Sequence, residues 1–99
     1  MTSVRWTPQA SDDLQAIHDY IARDFEVYAD AEARRILEAI DRLEAYPLSG
    51  RVVPEYDCED IRELILPPYR IVYRYRDDVA VILTVFRAER LIPALPDEH

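Results

Sequence analysis

Arginine is the residue type in this sequence with the greatest capacity for chemistry, and it is concentrated in one region. Residues 61–90 contain six arginines and four acidic residues, whereas the whole chain of 99 residues has 12 basic residues, all arginine, against 20 acidic ones and a net charge of −8. A local excess of positive charge in an acidic protein is typical of an anion-binding or protein-docking surface.

Other groups with chemical potential are sparse. His18 lies at the edge of an apolar stripe, which is the position of a boundary residue rather than of a general base. Cys58 has acidic neighbours on both sides, and their negative charge disfavours the reactive thiolate. The acidic stretch 55–60 matches no cation-binding loop and is interpreted as a solvated loop. The sequence has no serine–histidine–acid set, phosphate loop or zinc-ligand spacing, so we expect no metal and no cofactor.

Two helices are predicted in the first half of the chain. A short strand at residues 4–6 precedes Thr7 and Pro8, which supply an N-cap and a proline at the first helical position. Apolar residues then recur at three- and four-residue steps along residues 10–25 and again along residues 33–43, as in amphipathic helices. Because the connection is short, the two helices are expected to form an antiparallel hairpin.

The second half of the chain changes to a period of two. Residues 61–66, 69–76 and 79–87 read as three strands, separated by the turn residues Pro67-Pro68 and Asp77-Asp78. The predicted fold class is therefore α+β: a short N-terminal strand, a two-helix hairpin and a three-stranded antiparallel meander packed on the helices. Residues 1–99 are expected to form a single domain.

The pairing register of the last two strands decides which side chains face the helices. If the apolar rows of both strands share one face, Tyr75 pairs with Val79 and the loop is the three residues 76–78. The tyrosines of the middle strand then pack in the core. Its arginines share the opposite face, which is either uncovered or covered by a partner: Arg70, Arg74 and Arg76.

Location is inferred from three further features. A single cysteine cannot form an internal disulfide, and the N-terminus lacks the pattern of a secretion signal. The longest apolar run, residues 79–86, is far shorter than the ~20 residues that a membrane span requires. We therefore expect a soluble protein of the cytoplasm without a membrane partner.

Several segments, in this order and spacing, resemble the RelE/ParE superfamily of type II toxin–antitoxin toxins. They are Asp13-Leu14, Ile17, Tyr20-Ile21, Pro47-Leu48-Ser49-Gly50-Arg51, Ile61-Arg62-Glu63-Leu64, Tyr69-Arg70-Ile71-Val72-Tyr73-Arg74, Val79, Val81-Ile82 and Val85-Phe86-Arg87. The resemblance runs from Trp6 to Arg90, and its most specific part is the tyrosine–arginine strand preceded by glycine–arginine. It implies the same α+β architecture.

The superfamily includes messenger-RNA endonucleases that act on the ribosome and ParE-like toxins that poison DNA gyrase. In the superfamily that this sequence resembles, the nucleases carry basic residues on the strand before the tyrosine–arginine motif and a histidine or basic residue at the end of the last strand. They often have a C-terminal tyrosine. Such groups suit metal-free RNA cleavage. On the strand before the motif this sequence has Glu63 and Ile65 instead of basic residues, and Phe86 occupies the usual histidine position. It has no C-terminal tyrosine, although Arg70 and Arg87 match the recurrent arginines of the family.

The resemblance, with arginine–glutamate–leucine at residues 62–64 typical of the ParE-like branch, predicts a toxin that inhibits DNA gyrase and is neutralised by a cognate ParD-like antitoxin. No catalytic residue is assigned. Direct binding of nucleic acid is not expected, because the net charge is −8 and the basic surface is only local. The candidate residues for binding the partner or target are Arg51, Arg62, Arg70, Arg74, Arg87 and Arg90.

Alternatives remain open from the sequence. The chain could be a ribosome-dependent endoribonuclease that uses Arg62, Arg70 and Arg87, or an interaction module that has lost toxicity. Arg51 could hold a loop carbonyl or contact a partner, and the strand arginines could simply pair with acids. The expected assembly is a homodimer or a toxin–antitoxin hetero-oligomer.

Overall fold

The computed structural model describes residues 2–96 and places two helices against one face of a five-stranded sheet, which confirms the predicted α+β class. The elements in chain order are β1 Ser3–Trp6, α1 Pro8–Ala22, α2 Glu26–Asp41, a 3₁₀ turn Arg42–Glu44, β2 Arg51–Val52, β3 Ile61–Leu66, β4 Tyr69–Arg76 and β5 Val79–Arg87. Within residues 2–96, no helix is both long enough and apolar enough to cross a bilayer.

The predicted meander forms the centre of the sheet, and its three strands have the predicted bounds. Two further strands widen it, giving the order β1-β5-β4-β3-β2. β1 pairs in parallel with β5, and β2 pairs antiparallel with β3. A parallel neighbour needs a long crossover connection, and the helical hairpin supplies much of it. β2 was not predicted, because two residues are too few to show a period.

The β4–β5 turn corrects the predicted register. Arg76 pairs with Val79, so the loop consists of Asp77 and Asp78 alone, and the predicted three-residue loop is wrong. Both aspartates have left-handed backbone angles, with φ of 53° and 60°. Two consecutive residues with positive φ match the right-handed twist of a hairpin, and aspartate tolerates this conformation better than most residues.

A β-bulge in β5 restores the apolar packing that the two-residue loop would disrupt. Val72 is opposite Thr84 and Tyr73 is opposite Ile82, so Leu83 is the extra residue. Before the bulge Ala80 and Ile82 pack in the cluster beneath the helices, and after it Val85 does so. Val81 and Leu83 belong to the apolar row of β5 that is predicted to face the helices. They pack instead in the cluster on the opposite face.

The start of α1 holds the bulge in place. Thr7 caps the helix by accepting the Ala10 N–H, and its hydroxyl lies 2.9 Å from the carbonyl oxygen of Ile82. Six residues further on, Asp13 Oδ2 accepts hydrogen bonds from Thr84 Oγ1 at 2.5 Å and from the Val85 N–H at 3.1 Å. These contacts satisfy polar groups at the point where the strand ladder is interrupted.

Each face of the sheet carries its own apolar cluster. The helix face, which contacts α1 and α2, includes the predicted core tyrosines Tyr69 and Tyr73, with Tyr75 partly buried beside them. The other face, called here the tail face, buries Val53, Ile61, Val72, Leu83 and Phe86. Ile92 and Leu95 of the C-terminal segment pack on this second cluster. The expectation of a sheet face left open is therefore wrong in part, because the chain itself covers much of it.

Replacing Asp13 with alanine tests the role of α1 at the bulge. The variant leaves the buried Thr84 hydroxyl and the Val85 N–H without their acceptor, and unsatisfied buried donors cost about 1–3 kcal/mol. We expect the free energy of unfolding, measured with urea, to fall by about that amount. Asp12→Ala, at the exposed neighbouring position, is the control and should change stability by less than about 0.5 kcal/mol. Equal losses in the two variants would contradict this role.

Candidate functional site

The centre of the candidate site is Glu63, whose side chain is completely buried on the tail face of β3. Its Oε2 accepts a hydrogen bond from Arg51 Nε on β2 at 2.8 Å, and its Oε1 accepts one from Arg70 Nε on β4 at 2.5 Å. Register explains the meeting, since Arg51 lies directly opposite Glu63 in the β2–β3 pair. One carboxylate therefore joins three adjacent strands.

Arg70 is fully engaged by its surroundings. Its Nη1 and Nη2 donate to the two carboxylate oxygens of Glu55, both at 2.9 Å, while Nε is held by Glu63. The guanidinium also lies over the ring of Phe86, with its central carbon 5.2 Å from the ring centroid. Only 11% of the side chain is exposed. The paired carboxylates raise the pKa of Arg70 above its ordinary value, led by the bidentate contact with Glu55.

The four residues Arg51, Arg70, Glu55 and Glu63, called here the ionic cluster, carry no net charge. Glu55 comes from the stretch that the sequence suggested was a solvated loop, and Asp60 of the same stretch binds Arg76 at 2.9 Å. Both carboxylates remain partly exposed in a loop, as interpreted, but they also form ion pairs with the sheet that were not predicted. The available signal was an acidic segment preceding an arginine-rich meander, but only the fold determines which acid meets which arginine.

The opposite face of the same strands holds Arg62 in a different contact. Arg62 Nη1 donates to the Gly50 carbonyl oxygen at 3.0 Å, and the Gly50 N–H donates to the buried Tyr73 hydroxyl at 3.1 Å. Tyr73 in turn donates to the Pro47 carbonyl oxygen. A Cβ on residue 50 would lie 2.6 Å from the Tyr73 oxygen, so this position requires glycine. The loop carbonyl at Gly50 is therefore bound by Arg62, whereas Arg51 binds Glu63.

The six candidate arginines do not converge on one site. Arg51 and Arg70 belong to the ionic cluster, and Arg62 lies on the helix face beside Tyr73. Arg87 ends β5 and pairs with exposed Glu89 at 2.6 Å, and Arg90 is exposed three residues later. Arg74 is partly buried and shares the face of Arg70 by strand alternation.

In this arrangement the charged side chains of the ionic cluster are occupied by one another. Arg70 lacks a donor nitrogen that is not already bound to a carboxylate. The Tyr73 hydroxyl lies on the opposite face of the sheet, where burial raises its pKa. In the described part of the chain, no group of three or more His, Cys, Asp or Glu side chains is placed to hold a metal ion. The cluster acts as a structural clamp between β2, β3, β4 and the loop that carries Glu55.

Glu55→Gln tests the clamp through pH. Hydrogen bonding to Arg70 lowers the pKa of Glu55, so this carboxylate stabilises the fold above its unfolded pKa of about 4.3 and loses that contribution as the pH falls through the lower folded value. We expect the wild type to be more stable than Glu55→Gln by a constant margin from about pH 7 to about pH 5, and the margin to shrink below that range. Urea unfolding at each pH measures the margin.

The control for this experiment is Glu38→Gln, which alters an exposed glutamate of α2 outside the cluster. The free energy of unfolding of Glu38→Gln should differ little from that of the wild type at every pH. If the stability difference between the wild type and Glu55→Gln stays unchanged in acid, the ion pair between Glu55 and Arg70 is contradicted.

Comparison with known proteins supplies the family. Residues 4–92 match the model of the family described as the ParE toxin of type II toxin-antitoxin system, parDE. Toxin RelE2 of Caulobacter vibrioides is 38% identical over 92 residues, which cover 92% of this chain and all of that protein. Putative toxin Y4kP of Sinorhizobium fredii is 40% identical over 92 residues, covering 91% of this chain and 92% of its own length.

Solved structures agree with this assignment. A chain of the chromosomal ParDE toxin–antitoxin system from P. aeruginosa superposes with a TM-score of 0.77 at 27% identity, covering 90% of this chain and 98% of its own. A chain of the RelBE2 toxin–antitoxin complex of Mycobacterium tuberculosis shares the fold, with a TM-score of 0.64 at 23% identity, covering 87% and 96% of the two chains. This chain therefore belongs to the ParE toxin family of type II toxin–antitoxin systems, within the RelE/ParE superfamily.

Proposed function

We propose that this toxin arrests growth by inhibiting DNA gyrase and that a cognate ParD-like antitoxin neutralises it. Membership of the ParE family supports the choice of target and partner. The similarity to a chain from a ParDE system supports an antitoxin as well. The single observation that carries the proposal is the ionic cluster, in which an arginine recurrent in the superfamily is bound by two carboxylates of its own chain.

The ionic cluster opposes RNA cleavage on electrostatic grounds. A phosphoryl transition state is stabilised by cationic donors aimed at the oxygens where negative charge develops. The donors of Arg70 instead point at Glu55 and Glu63, and two carboxylates beside a phosphate would repel it. A second titratable group would need to lie next to the guanidinium of Arg70. The ring of Phe86 occupies that position.

A second candidate function is ribosome-dependent cleavage of messenger RNA. The observation in its favour is that a relative 38% identical over almost the whole chain bears the name Toxin RelE2. Under this alternative Arg62, Arg70 and Arg87 would act on RNA, which requires Arg70 to exchange Glu55 and Glu63 for phosphate. A non-toxic interaction module is the third alternative, and it predicts antitoxin binding without growth arrest.

The candidate arginines divide into two roles under the gyrase proposal. Arg70 and Arg62 maintain the sheet and the loop at Gly50, because their side chains are bound within the protein. Arg51, Arg87 and Arg90 are exposed and are the ones proposed to contact gyrase or the antitoxin. Arg74 is assigned to the same surface as Arg51. The toxin is proposed to act in the cytoplasm, where gyrase is found, alone or in a toxin–antitoxin assembly.

Purified toxin should inhibit DNA supercoiling by gyrase in vitro, and the double variant Arg87→Ala/Arg90→Ala should inhibit it less. Arginine is enriched among the interface residues whose truncation weakens binding by more than about 1 kcal/mol, which is at least about fivefold. Titrating toxin into a supercoiling assay measures this. The matched control is Arg5→Ala, which removes an exposed arginine from β1 and should inhibit like the wild type.

Inducing the toxin in bacterial cells separates the alternatives. Primer extension on translated messages should show no new ends after induction, and co-expression of the small protein encoded beside this gene should restore growth. Discrete message ends together with normal supercoiling would replace the gyrase proposal with the nuclease. Growth that never slows would favour the non-toxic module.

A further inference from the structure

The connection between α1 and α2 forms an exposed apolar surface, called here the tip surface. It consists of Tyr20 from the last turn of α1 and of Phe25, Val27 and Tyr28 at the start of α2, all between 58% and 85% exposed. The last three line one shallow groove together with Ala31. Large apolar side chains on a surface usually stand singly, so several around one groove indicate a protein-binding surface.

Phe25 occupies a position that favours contact over stability. It is the N-cap of α2 and makes no side-chain capping hydrogen bond. Serine, threonine, aspartate or asparagine is preferred there, because the side-chain oxygen satisfies a free N–H of the first turn. The described fold gains little from an exposed aromatic ring at this point, whereas a docked partner would cover it.

The charge around the tip surface restricts what can dock. Residues 19–32 contain five carboxylates and one arginine, and residues 8–44 contain ten carboxylates and four arginines. The exposed acids nearest the apolar side chains in sequence are Asp19, Asp24, Glu26 and Asp30, of which Asp19 and Asp30 contact His18. Arg35 is close enough to Tyr28, and Arg87 to Tyr20, to interact electrostatically, so the acidic rim is the segment around Asp24 and Glu26. A second copy of the chain would bring an identical acidic rim, and a nucleic acid would bring phosphates, so like charges oppose both. The complementary partner is apolar at its centre and basic at its edge.

We infer that the tip surface binds a basic amphipathic segment of the cognate antitoxin. Apolar side chains of that segment fill the groove beside Phe25, Val27 and Tyr28, while its arginines or lysines meet the acidic rim. The identity of the partner rests on the proposed function. The chemistry of the segment follows from the surface of this chain alone, and it gives the excess negative charge of the helices a role in partner choice.

Two synthetic peptides with the same helical pattern of leucines test this chemistry, one with arginine and one with glutamate at the polar positions. The arginine peptide should bind the intact toxin and shift the amide NMR signals of residues 20–28. Its affinity should fall as salt is raised from about 0.05 to 0.5 M, because exposed charges are screened. Binding by the glutamate peptide, or signal shifts confined to other elements, would overturn the inference.

Matched variants locate the binding site. Val27→Ser and Asp24→Arg should each weaken binding of the arginine peptide about tenfold, because residues at the centre of an interface carry most of its binding energy. The controls are Leu91→Ser, an exposed apolar residue elsewhere, and Asp12→Arg, the same charge reversal at least two helical turns from the tip. If Leu91→Ser weakens binding as much as Val27→Ser, or Asp12→Arg as much as Asp24→Arg, then only overall hydrophobicity or net charge matters. Either result would overturn the inference.

Phe25→Ser gives a readout that misfolding cannot imitate. Serine is a preferred N-cap residue and Phe25 contributes no cap hydrogen bond, so the thermal unfolding midpoint should not fall while affinity for the arginine peptide does. Retained affinity in this variant would contradict the assignment. These assays use neither gyrase nor cells, so a toxin that fails to inhibit supercoiling but binds the arginine peptide at the tip refutes the proposed target and leaves this surface standing.

Discussion

The buried carboxylate of Glu63 is the interaction on which the organisation of the sheet depends. Removing a carboxylate from water costs several kcal/mol, so Glu63 is stable in the interior only because Arg51 and Arg70 both bind it. To bring them there, the chain must add β2 to the edge of the meander. The second arginine then needs its own partner, and the loop before β3 folds over the sheet to supply Glu55. A single buried charge thus organises three strands and one loop.

This arrangement reverses the functional meaning of the arginine-rich region. Positive charge counted along a sequence suggests a surface for anions, yet in three dimensions Arg70 and Arg76 are bound by Glu55, Glu63 and Asp60. The uncompensated charge of the protein is instead negative and lies in the helical hairpin. The molecule therefore presents an acidic helical layer with an apolar tip, and its sheet contributes structure more than anion binding. Such a surface suits protein partners better than nucleic acid.

Local signals were sufficient for most of the secondary structure. Thr7 and Pro8 started α1 as predicted, and the alternation of side chains gave the bounds of β3, β4 and β5 correctly. The predicted register is wrong because it assumes one continuous apolar row without a bulge. Thr7 and Asp13, more than seventy positions away, stabilise the bulge at Leu83 by hydrogen bonds to residues 82–85. The covered tail face was missed for a similar reason, since Ile92 and Leu95 carry no periodic signal.

The sequence by itself determined the fold class, the three central strands, the core tyrosines and, through ordered motifs, the superfamily. Those properties depend on short-range periodicity and on spacing, which a linear chain displays. Tertiary structure alone decided which acids neutralise which arginines, which face the chain covers with its own C-terminal segment, and that Arg62 and Arg70 lie on opposite faces. The physical reason is that ion pairs act over a few ångströms, and only the folded sheet brings residues 51, 55, 63 and 70 within that distance.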